Sequence, residues 1–208
     1  MKRRNFCIAA SAITSLDFVN AQSLKKDEFK PYFEVSPIAG EEEKVRVYFS
    51  PSCSFSKQYF PFFKNLEGTL PANKQFAFTP LLNKTDGVAF GLAFCAISHW
   101  YPKYVNNFVE ASLEGVQNQG QTVRNWQGID RIGQAARLPV SAAKLTKENL
   151  DQAIFDTKRL IEIQSKCGIK NTPAVAVAGT YWVTPEITNG DSVQFNQLVN
   201  ALISMTSS

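Results

Sequence analysis

Apolar and polar residues alternate in short stretches of this chain and recur every three or four positions in longer ones. Tyr32-Phe33-Glu34-Val35 alternates as a short edge strand does. Val45-Arg46-Val47-Tyr48-Phe49 is β-branched and aromatic, which predicts a central strand over residues 45–50. From residue 54 to 66 the positions Phe55, Tyr59, Phe62, Phe63 and Leu66 fall at helical spacing and predict one buried helix face, Phe55 excepted because it falls on the exposed tip of the turn. Pro61 lies inside that run, where it removes a backbone donor and is expected to kink the helix. Residues 75–82 alternate again, up to Pro80.

A helical tract follows from Gly87 to Gly168. Val88, Leu92, Phe94, Cys95 and Ile97 mark one helix, and Tyr104, Phe108, Val109 and Leu113 a second. Residues 122–137 read as a third, closed by Pro139, and Thr146-Lys147-Glu148-Asn149-Leu150 opens a long fourth that ends near Cys167. Gly168 suits that end because glycine tolerates the left-handed conformation of a helix C-terminus. Strand character returns at Ala174-Val175-Ala176-Val177 and Tyr181-Trp182-Val183, separated by a turn at residues 178–180. Residues 191–205 form a last helix. The order is β, β, α, β, a helical block, β, β, α, with no internal repeat, and the class is α/β.

The N-terminus is a separate matter. Met1-Lys2-Arg3-Arg4-Asn5 is basic, residues 6–19 are mostly apolar, and Val19-Asn20-Ala21 offers the small residues of a signal-peptidase site, with the cut after Ala21. Residues 1–21 are therefore expected to be a cleaved signal peptide directing the chain to the periplasm. The run is too short to span a bilayer, and no other is long enough. The formal charge of +4 over 208 residues falls to +2 without Lys2, Arg3, Arg4 and Asp17. With no basic stripe interleaved with aromatics, nucleic acid is not an expected partner. Cys7 leaves with the leader. Of the 4 cysteines Cys53, Cys95 and Cys167 remain, an odd number where disulfides persist.

The sharpest chemical feature is Cys53-Ser54-Phe55-Ser56, at the predicted junction of a strand and a helix. With Phe49-Ser50-Pro51-Ser52-Cys53, Leu113-Glu114-Gly115-Val116-Gln117, Thr122-Val123-Arg124, Gly168-Ile169-Lys170-Asn171-Thr172-Pro173-Ala174 and Gly179-Thr180-Tyr181, in this order, the chain resembles the periplasmic disulfide oxidoreductases of the DsbA family. The resemblance implies a thioredoxin fold with an inserted all-helical domain. Residues 22–84 and 171–208 would form the thioredoxin-fold domain and residues 85–170 the insertion. It also implies a cis peptide between Thr172 and Pro173, beside the Cys53 thiol.

Three departures from the family pattern bear on activity. Oxidases of the family carry Cys-Pro-His-Cys, so Phe55 stands where a histidine supports the thiolate and Ser56 where a resolving cysteine would be. The buried acid that members carry six positions before the nucleophile is here Val47. A serine cannot form the intramolecular disulfide that ejects a bound partner, so dithiol oxidation is excluded. One-thiol chemistry remains: Cys53 as nucleophile, Ser56 hydrogen-bonding its sulfur, and Ser54, Phe55, Thr172 and Pro173 contacting substrate. Its partners would be cysteine-containing secreted proteins or small thiols, serving isomerisation, reduction or client capture. The alternative is a redox-inert binding or chaperone module on the same scaffold. No cofactor is expected, and with His99 the only histidine no metal site is either.

Cys95 and Cys167 fall on the first and last helices of the insertion, whose two ends both meet the core. Two readings stand: a structural disulfide, contributing roughly 4 kcal/mol by closing a long loop, or two small buried hydrophobes.

Overall fold

The computed structural model describes residues 30–83 and 86–207; the expected leader, residues 1–21, lies outside them. Five strands form one sheet, β1 (Phe33–Glu34), β2 (Lys44–Phe49), β3 (Gln75–Pro80), β4 (Ala174–Val177) and β5 (Tyr181–Val183), in the order β1-β5-β4-β2-β3. β2 and β3 are parallel and joined by helix α1 (Ser54–Thr69), because parallel neighbours need a crossover. The other pairs are antiparallel. Between β3 and β4 come α2 (Val88–Trp100), α3 (Val105–Asn118), α4 (Trp126–Ala135), α5 (Ala142–Glu148) and α6 (Leu150–Cys167), and α7 (Ser192–Met205) ends the fold. This is the expected α/β class, with a helical block between the third and fourth strands. No helix among the described residues is long and apolar enough to cross a membrane.

Three local expectations are corrected. The helix expected to open at Thr146 is two helices. Ser141 caps α5 by accepting the Lys144 N–H, and the Asn149 side chain donates to the Leu145 carbonyl and ends it. The third helix of the block starts at Trp126, because Asn125 caps it by accepting the Gly128 N–H. On α1 the buried stripe is Tyr59, Phe60, Phe63 and Leu66, and Phe62 is only partly covered. α1 continues through the exposed Pro61 to Thr69.

Alternation along β2 divides the interior into two layers. Val45, Val47 and Phe49 face the main core, with Phe63, Phe78, Phe90, Val175, Val177 and Phe195. Phe49, Phe63 and Phe195 are sealed from water, and each such side chain stabilises the fold by about 3 kcal/mol. Tyr48 turns to the opposite face, where it meets Ile38, Ile163, Cys167, Ile169, Ala174 and Ala176. Arg46, also on that side of β2, reaches the buried Glu41, which accepts from its Nε and, at 2.9 Å, from its Nη2. Gly179 lets this layer close: its φ is +60°, and a Cβ there would sit 2.6 Å from the Glu41 Cβ.

Candidate functional site

The register of β2 and β4 explains why residues far apart in sequence meet. Tyr48 pairs with Ala174 in an antiparallel ladder, so the chain leaving β2 and the chain approaching β4 lie at the same edge of the core. The first continues through Ser50-Pro51-Ser52 into Cys53, and the second arrives through Thr172-Pro173, whose peptide bond is cis. Cys53 Sγ donates to the Thr172 carbonyl at 3.1 Å.

Cys53 is the N-cap of α1, with φ −90° and ψ 115°, and its own carbonyl accepts the Lys57 N–H at 3.3 Å. Its half-buried sulfur makes no cap bond to the first amides of the helix and is turned instead to the Thr172 carbonyl. Ser54 and Phe55 follow on the exposed tip, Phe55 with 56% of its surface open to solvent. A hollow of about 350 Å³ lined by Phe33, Trp182 and Ile187 includes Lys170 and Asn171, so it adjoins the loop that carries Thr172.

Ser56 is placed otherwise than expected. It is buried, and its Oγ accepts the Ser50 N–H at 3.2 Å, which ties the start of α1 to the end of the β2 turn instead of supporting the sulfur. The main chain explains this: one turn into α1 the side chain points back at the incoming strand, where the Ser50 amide needs an acceptor.

The three described cysteines are free. Cys95 lies against Thr157 near the middle of α6, and Cys167 against Tyr48 at its end. Positions 157 and 167 are about 15 Å apart along a helix, whereas a disulfide needs Cα atoms within about 7 Å. The bridge is not formed; both take the other reading, as small buried side chains. Burial pushes both thiols up to about 11, with Glu41 adding to the effect at Cys167. A cleft of about 590 Å³ lies away from Cys53, between β3, α2 and α6, with Cys95, His99 and Asp156 in its wall. Its cysteine is held neutral by burial and is no nucleophile.

Sequence reasoning missed three residues that support the turn. Gln117 of α3 donates through Nε2 to the Pro51 and Cys53 carbonyls at 2.9 and 3.0 Å. Glu114, one turn earlier, pairs with Lys57 of α1 at 2.6 Å, and this bond with that to Asn118 holds its carboxyl below the usual range. Asp86, just before α2, is buried and accepts from the hydroxyls of both Ser50 and Ser52. Gln117 was visible inside the Leu113–Gln117 segment, but its reach to the turn was not. Asp86 gave no signal, because a lone acid before a glycine reads as a surface loop.

No family model matches the sequence, and no curated protein does. Among solved structures, the chain is similar to the disulfide oxidoreductase DsbA from Proteus mirabilis, with 16% identity and TM-score 0.67 over 85% of this chain and 95% of that one. Similar too is the oxidoreductase DsbA from Xylella fastidiosa, at 18% identity and TM-score 0.66 over 84% and 94%. A third is a Proteus mirabilis DsbA variant in complex with the non-covalently bound peptide PWATCDS, at 15% identity and TM-score 0.68 over 86% and 97%. The architecture is that of these proteins, a thioredoxin fold carrying a helical insertion.

Proposed function

We propose that this chain is a thiol-disulfide exchange protein that works through Cys53 alone. The observation that carries the reading is the sulfur itself: half-buried at a helix N-terminus, against the carbonyl of Thr172 in the cis-proline loop. The Cys53 thiolate attacks one sulfur of a client disulfide R–S–S–R′, forming Cys53–S–S–R and releasing R′–S⁻. A second thiolate, from the same client or a small thiol, then attacks the client sulfur, and Cys53 leaves as the thiolate. The client keeps a disulfide, re-paired or mixed, and no electrons pass in net.

Phe55 and the hollow bearing Phe33, Trp182 and Ile187 give the client apolar contacts, and Thr172 and Pro173 present backbone to its segment beside Cys53; peptide binding is in keeping with the Proteus mirabilis DsbA variant that holds the peptide PWATCDS. On this reading residues 1–21 export the chain to the periplasm, and residues 85–170 are an insertion domain on the thioredoxin-fold core. The exposed Phe55 also fits a second reading, a binding module whose thiol is not used.

The test is to incubate the full chain with a protein carrying scrambled disulfides, quench with acid and weigh the adducts. Covalent adducts at Cys53 together with recovery of the native pairing, both lost in Cys53→Ala, support exchange. Protection of the client without adducts, unchanged in Cys53→Ala, overturns it in favour of the binding module.

A further inference from the structure

The described residues contain two buried carboxylates, Glu41 and Asp86. Glu41 lies in the second layer and is matched by Arg46 and Arg159. Asp86 is 2% exposed, and its carboxylate is held by side-chain hydroxyls. Burying an acid costs several kcal/mol unless its partners offset it, and departures of this kind concentrate at functional sites. These bonds point one way. Ser50 Oγ and Ser52 Oγ, on either side of Pro51, both donate to its carboxylate, while Asn83 Oδ1 accepts its backbone N–H at 2.9 Å and fixes the loop that carries it. The strand position Val47 offers the Cys53 turn no acid, being apolar and sealed.

We infer that Asp86 is the positioning acid of the Cys53 site: by gathering the hydroxyls of Ser50 and Ser52 it clamps the turn that aims Cys53 at the Thr172 carbonyl, and keeps both hydroxyl protons engaged away from the sulfur. Gln117, also from the helical block, binds the Pro51 and Cys53 carbonyls of the same turn, so side chains and main chain of the turn are both held. The inference rests on the exchange reading of Cys53.

The experiment compares the unchanged chain with Asp86→Asn, Ser52→Ala and the double variant, using Cys53→Ala as the blank. The readout is the maximum rate, at pH values where it no longer rises, with an aromatic disulfide whose released thiolate is coloured. Melting temperatures are taken on the same samples. Asp86→Asn should lower the maximum rate roughly tenfold and Ser52→Ala about threefold, with the double variant no slower than Asp86→Asn alone. That non-additivity marks a single clamp, which a merely structural role would not produce. Rates within about twofold of the unchanged chain in both variants, with only melting temperature lowered, overturn the inference and leave the exchange reading standing. An unchanged chain whose Cys53 does not react overturns both. Ser52 is solvent-exposed, so its variant decides the matter even where Asp86→Asn fails to fold.

Discussion

Cys53 and Cys167 occupy opposite ends of helices. Cys53 caps the N-terminus of α1, with its sulfur turned to the Thr172 carbonyl, and stands half-open to solvent. Cys167 is the last residue of α6, at the negative end of the dipole, buried among Ile163, Ile169 and Ala174 with Glu41 and Tyr48 close by. The same side chain is thus left within reach of solvent in one place and sealed, its thiol raised by burial, in the other. The difference lies in the backbone each meets: Thr172 and Pro173 turn a carbonyl to Cys53, and the second core layer encloses Cys167.

The largest effect that tests this contrast is loss of the open thiol. Cys53→Ala should abolish mixed-disulfide formation with oxidised glutathione, whereas Cys95→Ala and Cys167→Ala should leave it unchanged, as intact mass under native conditions would report. Adducts on Cys167 in the folded protein would break the comparison.

Ser56→Cys sharpens it next. That side chain is buried one turn inside α1 and faces back to the Ser50 amide. A thiol there would restore the two-cysteine spacing at a helix start and should close to Cys53 under air, lowering the intact mass by two hydrogens. The cost is the Ser50 amide, which loses its acceptor; about 1–2 kcal/mol of stability should go with it, read by denaturant titration.

How far the chain could be read without coordinates follows from what each feature depends on. Strands and helices rest on period and local motif, so Val45–Phe49, the helix start at Cys53 and the Gly168 cap were legible. The split between α5 and α6 turned on the Asn149 side chain capping backward rather than forward, which no periodicity records. The bridge between Cys95 and Cys167 was left open because distance along α6 decides it. Gln117 and Asp86 act on the turn across long sequence separations, and only packing brings them there.

The pH dependence of stability probes the closed side of the comparison. Cys95 and Cys167 are raised from an ordinary 9.0 to about 11 in the folded chain. Between those values the folded state holds protons that the unfolded state has released, so the difference in bound protons makes stability fall as pH rises. The contribution is fully present below pH 9 and is lost toward 11, at no more than about 1.4 kcal/mol per pH unit for each thiol. Urea midpoints between pH 8 and 10.5 should slope downward, and Cys167→Ala should flatten the slope. An unchanged slope would mean that this thiol is not sealed in solution.

The smallest effect concerns what keeps the open thiol open in only one direction. Gln117 donates twice, to carbonyls on either side of Ser52, and Leu113 and Gly115 on the same helix are buried against the core. Its removal should therefore leave α3 in place and free only the turn. Gln117→Ala should cost about 1–2 kcal/mol, since two carbonyls are left to find water at a partly open surface. Amide exchange at Ser52 and Cys53 should rise by more than that global loss accounts for, because the opening is local. Helix α6 and Cys167 should show no change beyond the global one. Equal acceleration in both places would mean that the Cys53 turn has no rigidity of its own, and that its contrast with the sealed thiol is one of burial alone.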